Sequence, residues 1–274
     1  MRTLQLAAAA LGLLLAACGA ATYPAIAPAP ALPPAGVADI YVAVGASETV
    51  GAGIDDFSLR LRDEWPQLFF NAALSRSSTF VDLGIPGATT DQAMREEVGQ
   101  AVALHPTVAT VWLNVDDLVR GVPAATYEQQ LGRLVHALRA TGATVLVANT
   151  PVLQDLPAVA ACRAANGTDA PGPSTTAPAT AAPAPDNRPA VSCPLPAGTP
   201  IPADSVINAT VDAYNAAIAR VVKTEHAILV DLHAQGDVAA THPELVATDG
   251  FHPSFLGHAA VARLFADAFA ARPR

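Results

Sequence analysis

The feature that most restricts the fold of this chain is a regular alternation of short, almost wholly apolar runs with longer amphipathic segments. Near-continuous apolar runs are typical of strands buried on both faces, and helical spacing of apolar residues marks the segments between them. Five strands are predicted, at Asp39–Val44, Thr79–Leu83, Val108–Leu113, Thr144–Ala148 and Ala227–Leu232. Five helices are predicted, at Glu64–Leu74, Thr90–Leu104, Tyr127–Thr141, Ser205–Glu225 and Ser254–Ala271. This order predicts an α/β protein, a three-layer α/β/α sandwich around a five-stranded parallel sheet.

The N-terminus has the pattern of an export signal rather than of a folded segment. Arg2 precedes an apolar run from Leu4 to Ala17 that is too short for a stable membrane span. The run leads into Leu-Ala-Ala-Cys-Gly, which resembles the lipobox of bacterial lipoproteins. The resemblance implies removal of residues 1–17 and lipidation of Cys18; the alternative is an ordinary signal peptide with an incidental cysteine. We therefore expect an extracytoplasmic, membrane-anchored lipoprotein at the cell surface or in the periplasm.

The remainder of the chain divides into a tether and one domain. Residues 18–36 are almost only Ala and Pro, which predicts a semi-extended tether. Residues 37–274 are long enough for one sizeable core, and we expect a single domain that acts as a monomer.

Besides Cys18, the chain has two cysteines, which are Cys162 and Cys193. This is an even number in a chain that is expected to be exported. They predict a disulfide, the alternative being two free thiols. The segment between them is rich in Ala, Pro, Thr and Gly and too poor in large apolar residues to fold alone. A low-complexity insertion is therefore predicted over residues 158–203.

Charge and histidine spacing exclude two classes of partner. The net charge is −9, and the 15 Lys and Arg residues form no basic cluster, so nucleic-acid binding is not expected. The seven histidines show no metal-ligand spacing, so no metal site and no cofactor are predicted.

Candidate catalytic residues follow the predicted strands, because sites in parallel sheets form beyond the carboxyl ends of the strands. Ser47 follows the first strand in a segment expected to open a short helix, where backbone N–H groups favour negative charge. Asp249 and His252, three residues apart, can meet in a compact turn. His252 would take the serine proton, and Asp249 would fix the tautomer of the ring. The alternatives are a helix-capping serine and an exposed loop pair.

These residues lie in blocks that resemble those of the SGNH (GDSL-like) hydrolases. Gly45-Ala46-Ser47-Glu48-Thr49 stands for the Gly-Asp-Ser-Leu block, Ile85 to Thr90 for the second block, and Asp249 to His252 for the last. The resemblance, from Val42 to about Ala260, implies a flavodoxin-like sheet and a serine nucleophile at Ser47. It also implies an oxyanion hole built on the backbone N–H groups of Ser47 and Gly87, and a small-molecule, carbohydrate or lipid ester as substrate.

The third block departs from the family pattern. Gly-x-Asn-Asp-Leu falls on Asn114-Val115-Asp116-Asp117-Leu118, so Asp116 stands where the oxyanion asparagine is expected. An ionised carboxylate only accepts hydrogen bonds and would repel the developing charge. Three alternatives remain: a protonated Asp116 donates; Asn114 supplies the amide; or the backbone groups of Ser47 and Gly87 work alone. On a continuing strand, Asn114 would share the face of Asp116, roughly 7 Å further back.

The sequence therefore predicts a serine ester hydrolase that acts outside the cytoplasm and is weak because of Asp116. The competing hypothesis is a catalytically silent surface lipoprotein that binds an acylated ligand with the same fold, which Asp116 favours.

Overall fold

The computed structural model describes residues 36–167, 190–195 and 198–272. The predicted signal peptide, Cys18 and the tether up to residue 35 lie outside these ranges, so the structure does not bear on them. None of the described helices is long and apolar enough to cross a membrane.

The sheet has five parallel strands, as the sequence predicted, and their order is β2-β1-β3-β4-β5. The strands are β1 (Ile40–Gly45), β2 (Thr79–Asp82), β3 (Val108–Trp112), β4 (Thr144–Ala148) and β5 (Ile228–Val230). In the register of β1 with β3, Gly45 is paired with Trp112, so both strands end at the same level. The loops that follow β1 and β3 therefore start side by side.

Ten α-helices flank or connect the strands in the described ranges. They are α1 (Arg60–Asp63), α2 (Trp65–Ala73), α3 (Thr90–Glu96), α4 (Val98–Ala103), α5 (Val115–Val119), α6 (Ala124–Arg139), α7 (Pro157–Ala165), α8 (Asp204–Thr224), α9 (Val238–Thr241) and α10 (Phe255–Ala270). Short 3-10 turns lie at Phe57–Leu59, His233–Gln235 and Pro243–Leu245. The helix predicted over residues 90–104 is divided at Glu97 into α3 and α4.

The predicted three layers are present because successive strand residues point to opposite faces of the sheet. Val42 and Val44 belong to the core that α6 and α8 cover, whereas Tyr41 and Ala43 belong to the core under α2 and α10. Aromatic stacking marks both sides, with Trp65 on Phe265 at 4.2 Å between ring centroids and a second stacked pair on the opposite face. Both faces of β1 are thus closed to water.

Two local expectations are wrong, and both concern the residues just after a strand. Residues 47–53 form consecutive turns and not the start of a helix. β3 ends at Trp112, and α5 begins at Val115, so Asn114 and Asp116 do not lie on a strand. Asn114, with φ −168° and ψ −44°, directs the chain out of the strand and into α5. The expected common face of the two residues is therefore absent.

The predicted disulfide between Cys162 and Cys193 is present, with the two Cα atoms 4.4 Å apart. The range predicted as a low-complexity insertion includes most of α7, whose Ala158 and Cys162 are buried. Residues 168–189 of that range lie outside the described residues. The disulfide joins α7 to the segment 190–195.

Candidate active site

Three side chains from distant parts of the chain form a continuous hydrogen-bonded series. The Oγ of Ser47 lies 3.0 Å from Nε2 of His252, and Nδ1 of His252 lies 2.6 Å from Oδ2 of Asp249. An ionised carboxylate can only accept, so Nδ1 donates to Asp249, and Nε2 of the neutral ring accepts from the Ser47 hydroxyl. The structure thus brings together the three residues predicted as the catalytic set.

Asp249 and His252 meet because the carboxylate folds its own turn. Its Oδ1 accepts from the backbone N–H groups of Phe251 and His252, at 2.8 and 3.0 Å. Gly250, which follows Asp249 directly, has φ +73°, in the left-handed region that favours glycine. The turn is closed by a hydrogen bond from the N–H of Ala247 to the carbonyl of His252 at 2.9 Å. The Asp-x-x-His spacing therefore encodes both the turn and the contact.

The turn that carries Ser47 depends on Gly45. A Cβ atom on Gly45 would lie 1.8 Å from Oγ1 of Thr49, so a larger residue would block the chain from folding back after β1. The turn is held by hydrogen bonds from the N–H of Thr49 to the carbonyl of Ala46 and from the N–H of Ala52 to the carbonyl of Ser47. Ser47 consequently stands at the carboxyl edge of the sheet.

His258 fixes this turn from behind. Its Nε2 donates to the carbonyl of Ala52 at 2.9 Å, and its Nδ1 accepts from the N–H of Trp65 at 3.2 Å. Burial lowers the pKa of His258 to about 4, although the hydrogen bond to Ala52 acts in the opposite direction. The ring is therefore neutral at pH 7 and serves as a link between α10, α2 and the turn.

The proton-handling pair has the electrostatics that a catalytic base requires. Burial would raise the pKa of Asp249, but hydrogen bonds from the His252 ring and two backbone N–H groups outweigh it and lower the value to about 2. Burial would lower the pKa of His252, but the bond to Asp249 and the charges of Glu48, Asp249 and Asp116 raise it above 6.5. An imidazolium is thus stabilised beside Ser47.

Two backbone N–H groups have the free hydrogens that an oxyanion hole needs. Among the described residues, the N–H groups of Ser47 and Gly87 have no hydrogen-bond partner. Gly87 has φ +77° and follows Pro86 in a turn closed by a hydrogen bond from the N–H of Ala88 to the carbonyl of Ile85 at 2.9 Å. Nη2 of Arg120 donates to the carbonyl of Gly87 at 2.8 Å and braces the turn.

Asp116, and not Asn114, has its side chain near Gly87, beside that of Arg120. A Cβ atom placed on Gly87 would lie 3.5 Å from Nη2 of Arg120 and 4.0 Å from Oδ1 of Asp116. Burial raises the pKa of Asp116, while the charges of Arg120 and His252 lower it, and the net shift is upward. Asn114 is buried, and its Nδ2 donates to the carbonyl of Ala148 at 3.4 Å. Its amide is therefore directed into the protein.

Glu48 is a site residue that the sequence reasoning missed. Its Oε2 lies 3.3 Å from Oγ of Ser47, whose single hydroxyl hydrogen is donated to His252, and the side chain is buried. Burial raises its pKa, the charge of His252 lowers it, and Asp116 raises it. The available signal was an acidic residue at the position of the apolar residue in the Gly-Asp-Ser-Leu block.

Comparisons with known proteins identify a family and a common fold. The model of the GDSL-like lipase/acylhydrolase family matches residues 43–260. No curated protein matches the sequence.

Solved structures with similar folds cover most of the chain. The esterase EstA from Pseudoalteromonas sp. is 14% identical, with a TM-score of 0.55 over 85% of this chain and 97% of its own. LAE5, an α/β hydrolase from the metagenome of Lake Arreo, Spain, is 20% identical, with a TM-score of 0.57 over 88% and 98%. The acetyl xylan esterase AlAXEase is 14% identical, with a TM-score of 0.54 over 83% and 98%. At these identities the likeness shows a common fold.

Proposed function

We propose that this chain, which belongs to the GDSL-like lipase/acylhydrolase family and is a carboxylic ester hydrolase, transfers the acyl group of its substrate to water through an acyl intermediate on Ser47. The observation that carries this proposal is the series of hydrogen bonds from Ser47 through His252 to Asp249. A serine hydroxyl is a weak nucleophile by itself, and an adjacent base oriented by a third group is what activates it.

The reaction has two stages. His252 takes the hydroxyl proton through Nε2 while Oγ of Ser47 bonds to the ester carbonyl carbon, and the ester alkoxide then leaves with that proton. In the second stage His252 takes a proton from water, whose oxygen attacks the acyl carbon. The bond to Oγ breaks, the carboxylic acid departs, and the proton returns to Ser47. Asp249 stabilises the imidazolium in both stages.

The backbone N–H groups of Ser47 and Gly87 are the proposed donors to the oxyanion. Asp116 occupies the neighbouring position with a carboxyl group, so an ionised Asp116 opposes the charge that the two N–H groups stabilise. The placement of Asn114 in the interior leaves it unsuited to this role. We therefore propose slow turnover whenever Asp116 is ionised.

The proposal is tested with purified protein, p-nitrophenyl acetate and p-nitrophenyl butyrate. Ser47→Ala should lower kcat by about 10⁴–10⁶-fold, because the covalent step is lost. Ser205→Ala is the matched control, since Ser205 is an exposed serine at the start of α8, and it should keep the wild-type rate. Equal rates in Ser47→Ala and the wild type would refute the mechanism and favour the silent binding protein.

We also propose that the protein is a lipoprotein anchored outside the cytoplasm through Cys18. The support is the sequence before that cysteine, a short apolar run that ends in Leu-Ala-Ala-Cys-Gly. Cys18→Ser should move the protein from the membrane fraction to the soluble fraction. Retention of the variant in the membrane fraction would refute the anchor.

A further inference from the structure

A cavity of about 780 Å³ lies against the catalytic residues on the side of the imidazole. Glu48 and His252 line it, whereas Ser47, Gly87 and Asp116 do not. The cavity therefore meets the site at the imidazole and not at the proposed oxyanion donors. A substrate carbonyl carbon at Oγ of Ser47, with its oxygen toward Gly87, would direct another of its substituents toward this space.

Three separate parts of the chain build the walls of the cavity, and their lining is mainly apolar. Leu153 and Leu156 come from the loop after β4, Leu245 from the segment after β5, and Ala260 and Leu264 from α10. Leu153 and Leu156 are buried and pack in one cluster with α5 and α8. The walls are thus fixed by the packing of the domain and do not depend on a single loop.

Charged side chains also line the cavity. Arg263 and Asp267 line it, and their side chains are 83% and 70% exposed. The cavity therefore opens to solvent beside these two residues of α10. Its lining thus joins the imidazole of His252 to apolar walls and to charged residues that are exposed to solvent.

We propose that this cavity binds an extended apolar group of the ester, so that the substrate is a medium- or long-chain ester and not an acetylated carbohydrate. The inference rests on the proposed function, because it takes Ser47 as the reacting centre. Pockets of roughly 300–1,000 Å³ with apolar walls and few polar groups bury ligands far larger than an acetyl group. The acyl chain or the alcohol of the ester could supply the apolar group, since both substituents are joined to the same carbonyl carbon.

Two series of esters separate these two sources. One varies the acyl chain, from p-nitrophenyl acetate to p-nitrophenyl dodecanoate, and the other varies the alcohol, from ethyl acetate to dodecyl acetate. In one series kcat/KM of the wild type should rise about fourfold per added methylene until the cavity is full, which corresponds to the burial of a CH₂ group. A flat or falling profile in both series would overturn the proposal.

Two neighbouring alanines on α10 provide a matched pair of variants. Ala260 lines the cavity, and Ala259 is exposed and does not line it. In the series that shows the rise, Ala260→Phe should lower the ratio of kcat/KM for the eight-carbon ester to that for the two-carbon ester by at least about tenfold. Ala259→Phe should keep the wild-type ratio. An unchanged ratio in Ala260→Phe would overturn the assignment of the cavity.

A binding measurement keeps the inference testable without turnover. Calorimetric titration of Ser47→Ala with decanoate and with 1-decanol should show binding of at least one, and the double variant Ser47→Ala/Ala260→Phe should weaken it. Absence of binding by both ligands would overturn the inference. If Ser47→Ala loses hydrolysis and the chain-length profile of the wild type is flat, only the proposed role of the cavity is refuted. If Ser47→Ala keeps full activity, the proposed function itself is refuted.

Discussion

The carboxyl group of Glu48 lies 3.3 Å from the hydroxyl of Ser47 and interacts with the same imidazole that Asp249 orients. His252 is thus held between two carboxyl groups, one hydrogen-bonded to its Nδ1 and one beside the hydroxyl at its Nε2. Both negative charges favour the imidazolium.

This relationship predicts the acid limb of the pH profile. His252 must be neutral to accept a proton, so kcat/KM should rise with pH through an apparent pKa above 6.5, because the pKa of His252 is raised. Glu48→Gln removes one negative charge, lowers the pKa of His252 and should move the acid limb to lower pH. Glu128→Gln, distant from the site and paired with Arg220, is the control. An acid limb in the same place for Glu48→Gln would contradict the prediction.

Asp116 should limit the rate. Asp116→Asn replaces an acceptor with an amide donor next to Gly87, and the typical worth of one oxyanion donor predicts an increase of about 10²-fold in kcat. Steady-state kinetics with p-nitrophenyl acetate measure it. No increase for Asp116→Asn, together with a loss for Asn114→Ala that thermal unfolding does not explain, would mean that Asn114 is the donor.

The disulfide should support the catalytic turn as well as the fold. Val191, two residues before Cys193, packs so close to Gly250 that a Cβ atom there would lie 2.7 Å from Cγ1 of Val191. The N–H of Ala158 donates to the carbonyl of Gly250 at 3.1 Å, so α7 also holds the turn.

Cys162→Ala/Cys193→Ala should therefore lower both stability and kcat. Opening a loop of this sequence separation, 31 residues, costs about 3–4 kcal/mol of unfolding free energy on the chain-entropy model. Urea unfolding and kcat are measured for the variant and for the wild type. The wild type is measured both with and without dithiothreitol. If the unfolding free energy falls but kcat does not change, the turn at Asp249 keeps its conformation without the disulfide. That result would contradict the predicted support of the turn.

Glu97 should make the protein less stable as pH rises. Its side chain is fully buried, Oε2 accepts from the N–H of Gly45 at 2.9 Å, and burial raises its pKa to about 8. Between the ordinary carboxyl value and that pKa the folded state binds more protons than the unfolded state, so the unfolding free energy falls with rising pH. Glu97→Gln should flatten this fall in urea titrations from pH 5 to about pH 9. A wild-type slope in Glu97→Gln would contradict the assignment.

The parts of this structure that follow one chemical rule could be predicted, and the parts that depend on packing could not. The strands were predictable because burial on both faces requires continuous apolar runs, as in β1 and β3. Asp249 and His252 could be paired from spacing alone, because their contact lies within one turn. The direction of the Asn114 side chain could not be predicted. It depends on the backbone conformation of Asn114 itself, which takes the chain from the end of β3 into α5. Glu48 was missed because its burial beside the site depends on how the turn after β1 folds back, which spacing along the chain does not show.

The hydrogen bond between Ser47 and His252 joins residues 205 positions apart, and it has a consequence for the order of events during synthesis. A nascent chain that has left the ribosome only as far as β5 contains the serine but no base to activate it. The proposed hydrolysis therefore requires the segment after β5, and incomplete translation products that lack it carry an inert serine.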